Sequence, residues 1–394
     1  MTSSALQGNP MSDKANRKFM ERLIKGPGAV LTTRNVHADV IDSPSPGLNF
    51  TFGNGQGLPA GYSLLLYGPP RGGKSIICSA LTGQVHRNDP DAWVVKYNTE
   101  FREDAQLDDS QRKVWGIDEK RYIGYDRNDP EIFDHIEKDL AANCQDGMKL
   151  KLVIIDSVNM MQGRRESNSD TVMQQQVGDN AATIQQGLRR ILPIQRKYNF
   201  GLILTSHVRS VMDKKAANAA NVYLTHDTAV RPAVSWAVQH HCEYFMFVNP
   251  AGGTDGKKDM DGNEFKTDGA KDMYGNEDRT AHKTRVRMMD STIGPKGRNA
   301  EFTLDYKRGM INIHEEVFTL GRERGIITRP NNVMYEFDGK SWKGEAAILA
   351  ALKDDKQLQQ KILQELKTRD LAGFYSSEPA PTYEEKKATG LTFE

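Results

Sequence analysis

Gly68-Pro69-Pro70-Arg71-Gly72-Gly73-Lys74-Ser75 fits the phosphate-loop pattern GxxxxGK[ST], and its setting decides the fold. Before it stands Tyr62-Ser-Leu-Leu-Leu-Tyr67, a short apolar run bounded by turn signals, which reads as a buried strand. After it comes an apolar helical stretch, Ile76 to Val85. A strand, a glycine-rich loop and a helix in that order let backbone N–H groups converge on a triphosphate at a helix N-terminus. The loop from Gly68 to Ser75, with Ile76 behind it, is therefore the candidate ATP cradle. Lys74 is placed to neutralise β- and γ-phosphate oxygens, and the Ser75 hydroxyl to ligate Mg2+.

Outward from the loop, apolar strands alternate with helical stretches. Ala92 to Asn98, Leu150 to Asp156 and Gly201 to Ser206 read as strands; Glu131 to Asn143 and Asp179 to Tyr198 read as helices. Such alternation implies right-handed βαβ units and a mainly parallel sheet covered on both faces. Leu152-Val-Ile-Ile-Asp156-Ser157 ends an apolar strand in a carboxylate, and after a phosphate loop that makes Asp156 the candidate for the magnesium shell. Glu100, ending Trp93-Val-Val-Lys-Tyr-Asn-Thr-Glu100, is the best placed carboxylate to orient and deprotonate a water, a role that geometry decides.

The flanks divide the chain. Residues 1–34 read as an N-terminal arm carrying a short amphipathic helix, Ser12 to Lys25, with Phe19, Met20, Leu23 and Ile24 along one stripe. A helix this small does not fold alone, so it caps the main domain or docks on a neighbouring subunit. The α/β core is expected over residues 35–314, interrupted by a Gly-, Asp- and Lys-rich insert at 249–282 that reads as an exposed loop or ribbon. Asp259-Met-Asp-Gly-Asn263 has a misplaced glycine and no closing Glu, so it is not read as a calcium loop. A small C-terminal lobe is expected at 315–375 and a tail at 376–394.

Composition limits what the chain binds. At 394 residues it exceeds the roughly 250–300 at which single cores stop growing, so appendages to one large domain are expected. Lys and Arg total 53 against 52 Asp and Glu, so affinity for nucleic acid must be local. Cys78, Cys144 and Cys242 are far apart without metal-ligand spacing and read as buried thiols. Neither an apolar signal core nor an 18-residue apolar run is present, which points to a reducing, cytoplasmic setting and no membrane partner.

The resemblance that gathers these features is to RecA-family recombinases. It is carried by Leu58-Pro-Ala-Gly61 before the loop, Glu100 after the next strand, Asp156-Ser157, and Ser206-His207-Val208-Arg209, in order and spacing. Ala300-Glu-Phe-Thr-Leu-Asp-Tyr-Lys-Arg-Gly-Met-Ile-Asn-Ile313 and Gly325 to Gly344 are similar to the end of the bacterial RecA core and its C-terminal domain. Coverage runs from about residue 35 to 365. The insert, and His207 where bacterial RecA has Gln, look more like the phage UvsX branch.

The resemblance implies a RecA-like phosphate-loop ATPase core with ATP and Mg2+, a short N-terminal helix and a small C-terminal α+β lobe. It implies a homo-oligomeric helical filament on single-stranded DNA that pairs with double-stranded DNA, with single-strand-binding and loader proteins as further partners, in a bacterial cytoplasm such as that of a phage-infected cell. His207 would sense the γ-phosphate, and Asp104 would contact the base. Residues 163–179 and 211–231 would be two DNA-binding loops, with Lys214, Lys215 and Arg231 in the second. Arg209, and Arg189 and Arg190 on the helix after the first loop, would also meet DNA.

Several positions depart from the family. Paired lysines that reach a neighbour's ATP are missing near Met289 to Ser291, with Lys283, Arg285, Arg287 and Lys296 as unranked substitutes. Leu107 replaces an adenine-stacking aromatic, and Val230-Arg231-Pro232 stands where glycines are expected. A ring-forming motor shares the same nucleotide core, and a regulatory filament that pairs no strands would fit the missing lysines.

Overall fold

Short leucine- and β-branched-rich runs form the middle of a nine-stranded sheet in the computed structural model. In chain order the strands are β1 (Ser63–Tyr67), β2 (Ala92–Asn98), β3 (Tyr122–Asp126), β4 (Lys149–Asp156), β5 (Gly201–Ser206), β6 (Tyr244–Pro250), β7 (Ala281–Ser291), β8 (Asn299–Asp305) and β9 (Gly309–Ile311). Their spatial order is β9-β8-β7-β6-β1-β5-β4-β2-β3. From β6 across to β3 all neighbours are parallel. From β6 outward to β9 they are antiparallel. The structure describes residues 39–101, 105–167, 179–211, 223–224, 229–251 and 281–375. The expected N-terminal helix, most of the insert and the tail lie outside them.

The inner strands β1 and β5, and β4 from Leu152 on, are buried on both faces, which is why they are largely apolar rather than alternating, while the edge strand β3 is partly exposed. Leu64, Leu66, Val94, Leu152, Ile154 and Ile203 pack on one face with Ile77, Cys78 and Leu81 of α2 (Lys74–Asn88). Leu65, Tyr67, Val95, Val153, Ile155 and Leu204 pack on the other with Ile184, Leu188 and Ile191 of α3 (Asp179–Tyr198). The expected α/β sandwich is thus present, as a mixed sheet with an antiparallel edge. Cys78 and Cys242 are buried within these cores, and burial pushes both thiols up in pKa.

Three sequence boundaries change. The helix expected at 131–143 is continuous but built of three pieces, Ile132–His135, a π turn at Ile136–Leu140, and Ala141–Gln145. The ends of the expected insert are strand: Pro250 pairs with Thr284, because the continuous apolar run Tyr244 to Val248 carries the β6–β7 ladder past the point where composition turns polar. The expected second loop likewise has a stem, since Val208–Val211 pairs antiparallel with Ala229–Pro232.

Past the sheet, α4 (Ile313–Glu323), a hairpin of Met334–Phe337 and Lys340–Lys343, α5 (Glu345–Asp354) and α6 (Lys356–Tyr375) enclose a third core containing Val317, Phe318, Tyr335, Ile348 and Ile362. Phe50 of α1 (Pro46–Thr51) belongs to this core too. Arg298, under strand β8, fastens the junction with bonds of 2.6 and 2.7 Å to Asp370 of α6, while stacking 4.3 Å from the Phe50 ring. A bidentate, largely buried Arg–carboxylate pair is one of the few ion pairs that adds specificity as well as energy.

Candidate active site

Strands β1, β5, β4 and β2 are adjacent and parallel, so their C-terminal ends open on one edge of the sheet, where α/β sheets hold ligands. β1 continues into Gly68, β5 into His207, and β4 ends at Asp156. β2 ends at Asn98, which is in register with Asp156 and two residues before Glu100. One edge therefore collects the residues that carry the phosphate-loop chemistry.

The loop is packed too closely for side chains at two glycines. A Cβ at Gly68 would lie 2.1 Å from the Val248 carbonyl oxygen, and Gly73, at φ 96°, would place one 3.0 Å from Leu304 Cδ1. Gly73 opens α2, leaving the helix's first N–H groups aimed into the loop. Lys74 is buried and its Nζ donates to the carbonyl oxygens of Gly68 at 2.9 Å and Pro69 at 3.0 Å, so the ammonium is folded back on the start of the loop. Arg71 is exposed with φ 60°, and the half-exposed ring of Tyr306 lies near enough for its hydroxyl to feel the guanidinium charge. The Gly72 N–H donates to the Pro69 carbonyl at 3.2 Å, Pro70 is exposed, and Ile76 is half-buried in the first turn of α2.

Ser75 and Asp156 meet as the motif spacing requires. Ser75 Oγ donates to Asp156 Oδ2 at 2.7 Å, and Thr205 Oγ1 donates to Asp156 Oδ1 at 2.5 Å. Lys96 of β2, which sequence reasoning passed over, brings its Nζ to 3.5 Å from Asp156 Oδ2. Burial opposes ionisation of Asp156, but the Lys96 charge, the two hydroxyl donors and Lys74 outweigh it and hold the carboxyl below its usual range. A lysine inside an otherwise apolar strand was the available signal. A glycine cradle, an ammonium and a hydroxyl–carboxylate pair of hard oxygens fit a magnesium nucleotide.

Beside this pair sits a second cluster. Glu100 Oε1 accepts from Ser157 Oγ at 2.7 Å and lies 2.8 Å from His207 Nε2. Thr99 holds the turn, its N–H donating to the Asp156 carbonyl at 2.8 Å and its hydroxyl to the Ser157 carbonyl at 2.5 Å, across a cis Asp156–Ser157 peptide. The His207 N–H donates to Asn159 Oδ1 at 2.8 Å, and Asn159 Nδ2 donates to the Ala233 carbonyl at 2.7 Å. Ala233 N–H in turn donates to the His207 carbonyl at 2.9 Å. His207 is thus joined to Glu100 by its side chain and to the end of the 208–232 ribbon by its backbone.

On that ribbon Arg209 and Arg231 are direct cross-strand partners, and both are exposed. Like charges directly opposite repel unless a counter-charge lies between them. Arg189 is exposed on α3, while its neighbour Arg190 is ion-paired to Asp134 at 2.6 Å and to Glu137. Those two carboxylates sit three residues apart on one helical face turned toward α3, which sequence spacing around Arg190 alone does not show. Among the substitutes for the missing lysines, Arg285 binds Glu301 and Lys296 binds Asp290 at 2.5 Å. Asp104, Lys214 and Lys215 lie outside the described residues.

Comparison with known proteins gives the site a context. No protein-family model matches the chain. It is 22% identical over 351 residues to Protein RecA of Wolbachia pipientis from Culex pipiens, covering 88% of this chain and 86% of that one. It is also 22% identical to Protein RecA of Thermus thermophilus over 371 residues, 91% and 95% of the two chains. Protein RecA of Helicobacter pylori matches at 22% over 349 residues, 87% and 88%. The similarity to RecA is weak but consistent, and it covers most of the chain.

With RecA as the reference, the mixed sheet with its phosphate loop is a RecA-like core, and the similarity extends over most of the chain, C-terminal lobe included. A groove of about 530 Å3 lies away from this core site, between β8 and α4, where Lys283 and Arg324 mix with Glu315 and Glu323. The glycines, Lys74, Ser75 and Asp156 converge instead at the loop, which is the candidate nucleotide site. No described helix is long and apolar enough to cross a membrane.

Proposed function

We propose that this chain is an ATP-dependent recombinase that assembles as a helical filament on single-stranded DNA and pairs and exchanges strands with duplex DNA. The observation that carries the reading is the linkage through His207, whose side chain bonds Glu100 while its backbone is tied to the arginine-bearing ribbon. A nucleotide-handling cluster and a cationic DNA-facing element share one residue. That is what an ATPase regulated by DNA requires.

The geometry supports the following division of roles. Residues 68–76 hold the phosphates, with Lys74 leaving its loop carbonyls for the β- and γ-oxygens. Ser75 and Asp156 hold magnesium, which when bound neutralises the phosphate charge. Glu100 orients the attacking water and takes its proton, with Ser157 fixing the carboxylate. His207 exchanges Glu100 for the γ-phosphate, freeing the base and repositioning the ribbon. Arg209, Arg231 and Arg189 then contact DNA phosphates, with Lys214 and Lys215 completing the DNA contacts and Asp104 meeting the adenine of ATP. The insert and His207 favour the phage UvsX-like branch, acting in the cytoplasm with single-strand-binding and loader proteins.

The test is a three-strand exchange assay with circular single-stranded DNA and a homologous linear duplex. Joint molecules and nicked circles that require ATP support the reading. ATP hydrolysis stimulated by DNA without any joint molecules would instead mark a translocating motor, and DNA-bound protein that forms neither would mark a regulatory binder.

A further inference from the structure

Lys96 has an unusual address. It is in the middle of β2, a strand otherwise buried for its packing, with its side chain 5% exposed on the α2 face of the sheet. Its ammonium is 3.5 Å from Asp156 Oδ2, the oxygen that also accepts the Ser75 hydroxyl. Asp156 Oδ1 is occupied by Thr205. The carboxylate that would face magnesium thus meets a resident cation, delivered from beneath and shielded from water.

We propose that Lys96 is a positioning residue that sets the magnesium demand of the nucleotide site. The inference rests on the reading of residues 68–75 and Asp156 as a magnesium-nucleotide site. Two cations that share one carboxylate compete for its charge, and competition is strong where solvent does not screen it. Lys96 therefore weakens magnesium binding at Asp156. It also keeps the buried carboxylate paired when the metal leaves, since an uncompensated buried charge destabilises a fold. Nucleotide exchange then proceeds without collapse of the site, at the cost of a higher free magnesium requirement.

Magnesium is titrated into the full-length protein with a fluorescent non-hydrolysable ATP analogue, and melting temperature is followed in parallel. Removing the charge in Lys96→Met, or keeping a donor without charge in Lys96→Gln, lowers half-saturating magnesium by about tenfold, a modest share of the repulsion between a divalent ion and a nearby ammonium. Both variants melt lower without the metal and recover when it is added with the analogue. Lys96→Arg retains the wild-type half-saturation point. Unchanged half-saturation in folded Lys96→Met and Lys96→Gln overturns the inference while leaving the nucleotide site intact. Failure of both to fold even with magnesium and analogue also overturns it, by making Lys96 a structural cation. A wild-type chain that binds no analogue at any magnesium concentration removes the nucleotide-site reading itself.

Discussion

Glu100 and His207 are 2.8 Å apart, and the consequences of changing either follow from that contact. Glu100→Gln keeps an acceptor for Ser157 but loses the base. ATP turnover falls by about 10²–10⁴-fold, the usual worth of a general base, while ATP-analogue and single-stranded DNA binding persist. Steady-state hydrolysis beside equilibrium binding separates the two, and wild-type turnover in the variant would remove Glu100 from the chemistry. Lys74→Ala is different in kind, abolishing binding and turnover together. His207→Ala cuts the side-chain link, so the factor by which DNA tightens ATP-analogue binding drops toward one, from the roughly 5–150-fold usual for such coupling. Undiminished coupling would assign the sensing to another residue. Lys74, Ser75, Asp156 and Glu100 were legible in the sequence because motif spacing fixes their places relative to strand ends. Ser157 and Asn159 had no assigned role, and Lys96 was overlooked, because their contacts depend on β4 lying between β2 and β5 in a particular register. No local pattern encodes that.

At the scale of single elements, the 208–232 ribbon and the junction at α4 make separate demands. On the proposed reading the facing Arg209 and Arg231 neutralise DNA phosphates, so replacing both with Ala flattens the salt dependence of single-stranded DNA binding by about 0.7 in log–log slope for each phosphate left unneutralised. Arg190→Ala leaves that slope unchanged, since Asp134 and Glu137 already occupy the guanidinium. A slope insensitive to the ribbon pair, or lowered by Arg190→Ala, would redirect the DNA path. The sequence presented Arg189 and Arg190 as equals; only the packing of α3 on the 132–145 helix tells them apart.

The α4 junction turns on Glu316, which is buried, with Oε2 accepting from Ser45 Oγ at 2.5 Å and from the Gly47 N–H at 3.0 Å. Burial pushes its carboxyl up to about 8, from 4.5. The folded state therefore holds a proton that the unfolded chain releases first. Stability from this group is full below about pH 4.5 and is lost progressively as pH rises through about 8. Glu316→Gln, which mimics the protonated form, raises the melting temperature at pH 8 relative to wild type and shallows its decline between pH 5 and 8. A parallel decline in the two proteins would show that Glu316 is ionised in the fold.

Over the whole molecule, the phosphate loop made the parallel centre of the sheet predictable, because strand, loop and helix must follow in that order to seat a phosphate. The antiparallel strands β7 to β9 were less legible: a polar insert separates the apolar run of β6 from the β7 strand that pairs with it. The union of Phe50 with the C-terminal core was hidden for a similar reason, since a residue of α1 packs against elements some 270 positions away. A net charge of +1 gives no global attraction to DNA, so the proposed DNA binding has to come from local cationic surfaces. The most direct measurement is negative-stain electron microscopy of the full-length protein on single-stranded DNA, with and without a non-hydrolysable ATP analogue and magnesium. Regular helical filaments that depend on the analogue are predicted; closed rings, or bare DNA at saturating protein and analogue, would contradict the account.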